Sequence, residues 1–121
     1  MKYLPRILIV DDESDFLTHM ASTLRKNGFD VYSLLDGEEV FSIVRTYKPD
    51  IIIIDIRLGT HDGRLICHQV KKEFEFNSKI ILHSVLSEFG EEYKNYGADD
   101  FIQKPFTLDS LIAKINFHLE R

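Results

Sequence analysis

Carboxylate, hydroxyl and ammonium side chains each follow a short apolar run in this sequence. Asp11 and Asp12 come after Ile-Leu-Ile-Val, Asp55 after four isoleucines, Ser84 after Ile-Ile-Leu-His and Lys104 after Phe-Ile-Gln. Two carboxylates brought to about 4 Å repel each other by about 1 kcal/mol in water, and by more in a partly buried cleft. A hard divalent cation relieves this repulsion, and carboxylate oxygens suit Mg²⁺.

The same set of side chains is suited to accepting a phosphoryl group. A carboxylate such as Asp55 can act as a nucleophile and form an acyl phosphate. The transferred group spreads its charge over three oxygens, which need positive or hydrogen-donating partners. Mg²⁺, the Lys104 ammonium and the Ser84 hydroxyl would each serve one of these oxygens.

Whether these side chains meet depends on the fold. Five short apolar runs, which we predict to be strands, alternate with segments of helical period and cover residues 6–10, 30–34, 50–55, 79–83 and 99–103. The first run, through Ile-Leu-Ile-Val, and the four isoleucines of the third are continuously apolar, which is typical of parallel strands covered on both faces. The carboxyl ends of parallel strands share one edge of the sheet, where ligands bind. We therefore expect the polar side chains to converge at that edge.

Apolar residues recur at helical spacing in the five segments between and after the strands. They are Phe16, Leu17, Met20 and Leu24; Val40, Phe41, Val44 and Tyr47; Ile66, Val70 and Phe74; Leu86, Phe89 and Tyr93; and Leu108, Leu111, Ile112, Ile115 and Leu119. Asp36 and Thr107 are predicted to cap the second and last helices. The third helix is predicted over about residues 63–74, and the fourth to end near Gly97. Five strand-then-helix units imply a parallel sheet with helices on both faces.

Composition narrows the class of protein. The chain has 121 residues, which predicts a single domain over residues 1–121. A net charge of −5 argues against direct binding to nucleic acid or to an anionic membrane surface. Cys67 is the single cysteine, and the apolar runs are too short for a signal peptide or a membrane span. These features favour a cytoplasmic protein.

The motifs together resemble the receiver domain of bacterial two-component response regulators. The resemblance covers nearly the whole chain, and the separations between the motifs are also similar to those of the family. The motifs are Ile-Leu-Ile-Val-Asp11-Asp12-Glu13, Ile-Ile-Ile-Ile-Asp55, Ile-Ile-Leu-His-Ser84 and Gly97-Ala98-Asp99-Asp100-Phe101-Ile102-Gln103-Lys104-Pro105-Phe106.

This resemblance implies a flavodoxin-like fold with strand order 2-1-3-4-5 and a regulatory domain rather than a turnover enzyme. Asp55 would accept the phosphoryl group with the help of Lys104. The residues implied to bind Mg²⁺ are Asp11, Asp12, Asp55 and the backbone carbonyl of Arg57. Ser84 and Phe101 would form a switch pair, and the Lys104–Pro105 peptide bond would be cis.

The resemblance also implies partners. The phosphoryl donor would be a sensor histidine kinase or a phosphotransfer protein. Phosphorylation would change the surface of the fourth helix, fifth strand and fifth helix, which would then bind a partner or form a homodimer.

The sequence departs from the family pattern at three places. Val85 stands where Ala or Gly usually follows the switch hydroxyl, and could narrow access to Asp55. The loop of residues 58–63 lacks the proline that is often found there. His83 replaces a residue that is usually apolar.

Two other functions compete with the signalling switch. A haloacid-dehalogenase-like phosphatase also places an aspartate after an apolar strand, but needs a second aspartate where this chain has Arg57. A degenerate receiver used only for docking usually lacks acidic residues or the lysine, and all of them are present here.

Overall fold

The computed structural model describes residues 3–73 and 78–120, with all of their side chains except those of residues 87–91. Within these ranges the strands are β1 Arg6–Val10, β2 Asp30–Leu34, β3 Ile51–Asp55, β4 Arg57–Leu58, β5 His61–Asp62, β6 Lys79–Ser84 and β7 Asp100–Gln103. The α-helices are α1 Ser14–Lys26, α2 Val40–Tyr47, α3 Gly63–Glu73 and α4 Leu108–Leu119. A 3-10 helix, Ser87–Tyr96, lies between β6 and β7.

Five of these strands form one parallel sheet in the order β2-β1-β3-β6-β7. The other two, β4 and β5, pair antiparallel as a small hairpin between β3 and α3. Counted along the chain without the hairpin, the sheet order is 2-1-3-4-5. The predicted flavodoxin-like α/β fold is therefore confirmed.

Both faces of the sheet are covered by helices. Ile52 and Ile54 of β3 pack on the side of α2 and α3, whereas Ile51 and Ile53 pack on the side of α1 and α4. All four isoleucines are fully buried. Because each face of β3 meets a helical layer, an apolar side chain is needed at every position rather than at alternate ones.

The predicted strands agree with the structure to within one residue at each end. Thr107 caps α4 as predicted, since its side chain accepts a hydrogen bond of 3.1 Å from the backbone N–H of Ser110. The third helix is described only to Glu73, so Phe74 lies outside the described residues. No helix in the described ranges is long and apolar enough to span a membrane.

The prediction that Asp36 caps the second helix was wrong. Helix α2 begins at Val40, with Glu39 at the N-cap position and no side-chain cap. The Asp36 carboxylate instead accepts a 3.0 Å hydrogen bond from the backbone N–H of Glu38. Asp36 therefore stabilises a turn ahead of the helix, which is a common use of aspartate.

The fourth helix forms with 3-10 geometry. Tyr93 packs against the α2 and α3 side of the core, and the helix ends at Gly97, whose φ is 81°. The side chain of Phe89 lies outside the described residues. A glycine in the middle of this segment, Gly90, lowers its intrinsic preference for an α-helix.

Candidate functional site

The carboxyl edge of the sheet brings several polar side chains together. Asp55 and Ser84 are the last residues of β3 and β6, while Asp11 and Lys104 directly follow β1 and β7. The Lys104 ammonium lies 2.6 Å from a carboxylate oxygen of Asp11 and 3.6 Å from one of Asp55. Residues 93 positions apart in the chain thus make one ionic cluster at the end of the sheet.

Asp11 and Lys104 form the buried part of this cluster. The Asp11 side chain is fully buried, and its second carboxylate oxygen accepts a 2.8 Å hydrogen bond from the backbone N–H of Glu13. The Lys104 ammonium also lies 4.1 Å from the centre of the Phe16 ring, a cation–π distance. These contacts fix the position of the ammonium beside both carboxylates.

Asp55 is largely buried, and burial is the main reason that its pKa is raised to about 6. The backbone N–H of Arg57, which donates a 3.1 Å hydrogen bond to Asp55, and the Lys104 ammonium oppose this shift. The charges of Asp11 and Asp12 add to it. The ionised Asp55 carboxylate is therefore destabilised until positive charge arrives.

Asp12 lies at the solvent-exposed rim of the cluster. One of its carboxylate oxygens accepts a 3.0 Å hydrogen bond from the backbone N–H of Gly59, in the turn of the β4–β5 hairpin. This hairpin was not predicted, because its strands have only two residues each. Gly59 has a φ of 59°, a left-handed conformation that favours glycine. The hairpin thereby connects Asp12 with Arg57, whose backbone N–H is bonded to Asp55.

The oxygen atoms at this edge of the sheet are suitable ligands for Mg²⁺. Asp11 and Asp55 offer carboxylate oxygens within 4.8 Å of each other, with Asp12 at the rim, and such oxygens are the ligands that Mg²⁺ prefers. Among the described residues the Lys104 ammonium alone lies beside these carboxylates, and their like charges add to the effect of burial in raising the pKa of Asp55. That the Arg57 carbonyl is a further ligand stays a prediction.

Ser84 and Phe101 lie on the same face of the sheet. In the pairing of β6 with β7, Leu82 lies beside Phe101 and Ser84 beside Gln103, so the two candidate switch residues are diagonal neighbours. Ser84 is buried, and its hydroxyl oxygen accepts a 3.1 Å hydrogen bond from the backbone N–H of Leu86. Phe101 is half-buried and packs against the α2 and α3 side of the core. Movement of the Ser84 oxygen by rotation about the Cα–Cβ bond would break its bond to Leu86.

Sequence reasoning missed two residues that shape the site. In the sequence His83 is only a departure from an apolar pattern, yet its side chain is fully buried with Nε2 3.7 Å from a carboxylate oxygen of Asp11. Gly63 begins α3 so close to β3 that a Cβ there would lie 2.1 Å from the carbonyl oxygen of Asp55. A histidine inside an apolar strand was the available signal for the first, whereas nothing in the sequence marked the second.

Comparison with known proteins decides the family. Residues 7–116 match the family model of the response regulator receiver domain. The chain belongs to this family. The cis Lys104–Pro105 peptide bond that the sequence resemblance implies is also present in this receiver domain.

Solved receiver domains are similar to this one along nearly all of its length. The receiver domain of the Francisella response regulator 1452 is 29% identical, with a TM-score of 0.88 and coverage of 97% of this chain and 98% of that one. A CheY-like receiver domain protein from Methanospirillum hungatei is 27% identical, with a TM-score of 0.90 and coverage of 98% and 95%. The BeF3-activated N-terminal receiver domain of Klebsiella pneumoniae RstA is 26% identical, with a TM-score of 0.88 and coverage of 96% and 99%.

Proposed function

We propose that this receiver domain, spanning residues 1–121, is a phosphorylation-activated signalling switch in a two-component system. Asp55 accepts the phosphoryl group, Lys104 and Mg²⁺ neutralise the charge that is transferred, and Ser84 and Phe101 relay the change to the surface. The observation that carries this proposal is the ionic cluster, in which the Lys104 ammonium lies within 3.6 Å of both Asp11 and Asp55.

The geometry supports phosphoryl transfer to Asp55. One oxygen of Asp55 is held by the backbone N–H of Arg57, and the other faces the Lys104 ammonium. Attack by a carboxylate oxygen on phosphorus forms an acyl phosphate and releases the donor group. Lys104 is placed to bind an oxygen of the incoming group, because it already lies beside the attacking carboxylate.

Mg²⁺ would be held by Asp11, Asp12, Asp55 and the carbonyl of Arg57. When bound, the ion supplies positive charge for the phosphoryl oxygens. The protein's own part is to hold Asp12 in place through Gly59 and Asp11 through Glu13, so that the carboxylates are positioned before the ion arrives. The like charges around Asp55 favour binding of a cation at this edge.

The switch works because the Ser84 hydroxyl has a different hydrogen-bond partner in the phosphorylated and unphosphorylated states. A phosphoryl oxygen is a charged acceptor, and a hydrogen bond to it from Ser84 is worth about 1.5–3 kcal/mol. Movement of Ser84 toward Asp55 would open space beside β7, into which the half-buried ring of Phe101 could turn. The surface of the 3-10 helix, β7 and α4 would then change shape and bind a partner or a second copy of the chain. The BeF3-activated form of the RstA relative supports a corresponding activated state here.

A cleft beside Lys104 supports docking of the phosphoryl donor, a histidine kinase or phosphotransfer protein in the cytoplasm. It has a volume of about 460 Å³ and lies between α1 and the segment that joins β7 to α4. Phe16, Met20, Val85 and Phe106 give it an apolar lining, to which Lys104 also contributes. An apolar helix face of the donor could bury itself there while its phosphohistidine meets Asp55.

Labelling with a small phosphodonor tests the proposed function. Purified protein is incubated with acetyl phosphate and followed by intact-mass spectrometry, with and without Mg²⁺. We expect one phosphoryl addition that depends on Mg²⁺ and is absent in Asp55→Asn. The matched control Asp36→Asn makes the same chemical change in a turn outside the site and should be labelled like the wild type. Labelling of Asp55→Asn, or no labelling of wild type with Mg²⁺, would contradict the proposal.

A further inference from the structure

His83 is a buried imidazole that the phosphorylation mechanism does not use. It lies on β6 on the side of the sheet that faces α1 and α4, between the rings of Phe16 and Phe106, whose centres are 6.0 Å and 6.2 Å away. The side chain has no exposed surface, and neither ring nitrogen makes a hydrogen bond of acceptable geometry among the described residues, although the backbone of Val10 lies close enough to interact with the ring. Buried polar atoms are rarely left unpaired in folded proteins, so this ring needs an explanation.

The unpaired imidazole faces the acidic cluster. One carboxylate oxygen each from Asp11 and Asp55 and one ring nitrogen of His83 all lie within 4.8 Å of one another. In a four-coordinate metal site with bonds of about 2.1 Å, ligand atoms lie roughly 3.4 Å apart. The Asp11 to His83 separation, 3.7 Å, is already close to that spacing. Small movements would bring all three atoms to one metal ion.

The chemistry of the ring also suits a ligand. A neutral ring with its proton on Nδ1 presents the lone pair of Nε2 toward Asp11. Imidazole nitrogen is a poor ligand for Mg²⁺ and a good one for zinc and the neighbouring transition metals.

We propose that Asp11, Asp55 and His83 form a second cation site, selective for divalent transition metals such as Zn²⁺ and Co²⁺. It shares two aspartates with the magnesium site but uses a nitrogen ligand in place of Asp12 and the Arg57 carbonyl. Two oxygens and one nitrogen from the protein leave a fourth position for water. The site does not depend on phosphorylation.

Lys104 competes with this metal. Its ammonium lies 2.6 Å from the same Asp11 oxygen that would bind the ion. The lysine side chain retains 12% exposure, so it can turn outward into solvent and open a path to His83. While the transition metal is bound, Lys104 is displaced from Asp55, and phosphorylation would be inhibited.

Titration of the unphosphorylated protein with Co²⁺, followed by visible absorption, tests the site. We expect a ligand-field spectrum typical of nitrogen and oxygen ligands, and competition by Zn²⁺. His83→Val should weaken Co²⁺ binding about tenfold or more while leaving Mg²⁺ affinity unchanged. Lys104→Met should tighten Co²⁺ binding by about tenfold, because it removes the competing ammonium. His68→Ala, which removes an exposed histidine on α3, is the matched control and should bind like the wild type.

A measurement on the wild-type protein covers the case in which His83→Val does not fold. Saturation with Zn²⁺ should shift the ¹⁵N resonance of the coordinated His83 nitrogen in long-range ¹H–¹⁵N spectra. An unshifted His83 resonance, or a folded His83→Val that binds Co²⁺ with the wild-type affinity and spectrum, would overturn the proposal. Because the protein is unphosphorylated throughout, neither result bears on whether Asp55 accepts a phosphoryl group.

Discussion

The ionised form of Asp55 lowers the stability of the metal-free folded protein, because its carboxylate is buried and lies near those of Asp11 and Asp12. Its pKa rises from 3.8 in the unfolded chain to about 6 in the folded protein. The folded state therefore binds this proton more tightly than the unfolded state, and the stability contributed by the protonated form is lost as pH rises through about 6. The ionised Asp55 carboxylate is for this reason destabilised in the folded protein even with the Lys104 ammonium beside it.

Asp55→Asn should stabilise the metal-free protein at neutral pH. The amide keeps the shape of the side chain without its charge, and we expect the free energy of unfolding at pH 7 to increase by about 1–3 kcal/mol. The gain should shrink as pH falls and disappear below the ordinary pKa of aspartate, 3.8, where Asp55 is protonated in both states. Urea unfolding at a series of pH values measures this. Asp36→Asn should show no comparable gain at pH 7, and a gain for Asp55→Asn that grows in acid would disprove the explanation.

Val85 should slow the loss of the phosphoryl group from Asp55. Its side chain is 60% exposed and lines the cleft that leads to Lys104, where the hydrolytic water would approach. Val85→Ala removes two methyl groups from this path, so the first-order rate of dephosphorylation should rise severalfold. Intact-mass spectra taken after removal of acetyl phosphate give the rate. Leu65→Ala, at an exposed leucine on α3, should leave the rate unchanged, and the same rate in Val85→Ala would show that Val85 does not control water access.

The start of α3 is held directly against the end of β3. The backbone N–H of Gly63 donates a 2.7 Å hydrogen bond to the carbonyl of Ile56, just beyond Asp55. This close approach leaves no room for a side chain, and it determines where Asp55 and the β4–β5 hairpin sit relative to the helix. The position of Asp55 therefore depends on a contact between two backbones.

Gly63→Ala should destabilise the protein and disturb the site. The added Cβ would lie 2.1 Å from the carbonyl oxygen of Asp55, so α3 or β3 must move. Overpacking of this kind costs about 1–3 kcal/mol. Urea unfolding should show the loss, and Mg²⁺ affinity, followed by chemical shifts of Asp12 and Asp55, should fall with it. An unchanged unfolding midpoint would mean that the approach of α3 to β3 is less tight than the structure indicates.

Ser84→Ala should separate phosphorylation from its structural consequence. Asp55 and Lys104 are untouched by the change, so the variant should still accept a phosphoryl group. Without the hydroxyl, the shift in NMR signals near Phe101 should be largely lost. A bias of about 1.5–3 kcal/mol corresponds to a shift of roughly 10–150-fold in the equilibrium between two states. If Ser84→Ala retains the full spectral change, the proposed coupling between Ser84 and Phe101 is wrong.

The overall fold was predictable because the burial of a strand on one or both faces determines the pattern of apolar residues in its sequence. Strands buried on both faces must be apolar throughout, and the isoleucines of β3 show this directly. Once the strands are parallel, Asp11, Asp55 and Lys104 must reach the same edge, although they are far apart in the sequence. The meeting of these three residues therefore followed from element order alone.

Other parts of the site depend on tertiary contacts that no local pattern encodes. The β4–β5 hairpin has strands too short to show alternation, and its link to Asp12 is a single hydrogen bond to Gly59. Gly63 meets β3, and the His83 ring lies near the Asp11 carboxylate, only because separate elements pack together. Asp36 failed as a predicted cap because aspartate stabilises turns as readily as helix ends.

Direct location of the phosphoryl group tests the central claim, that Asp55 is the nucleophile of the cluster. After reaction with acetyl phosphate and Mg²⁺, borohydride reduces an acyl phosphate to the alcohol and so converts a phosphorylated aspartate to homoserine. Peptide mapping by tandem mass spectrometry then identifies the converted residue. We expect homoserine at position 55 alone, and none when Mg²⁺ is withheld. Homoserine at position 11 or 12, or a phosphoryl label on a histidine with no converted aspartate, would contradict it.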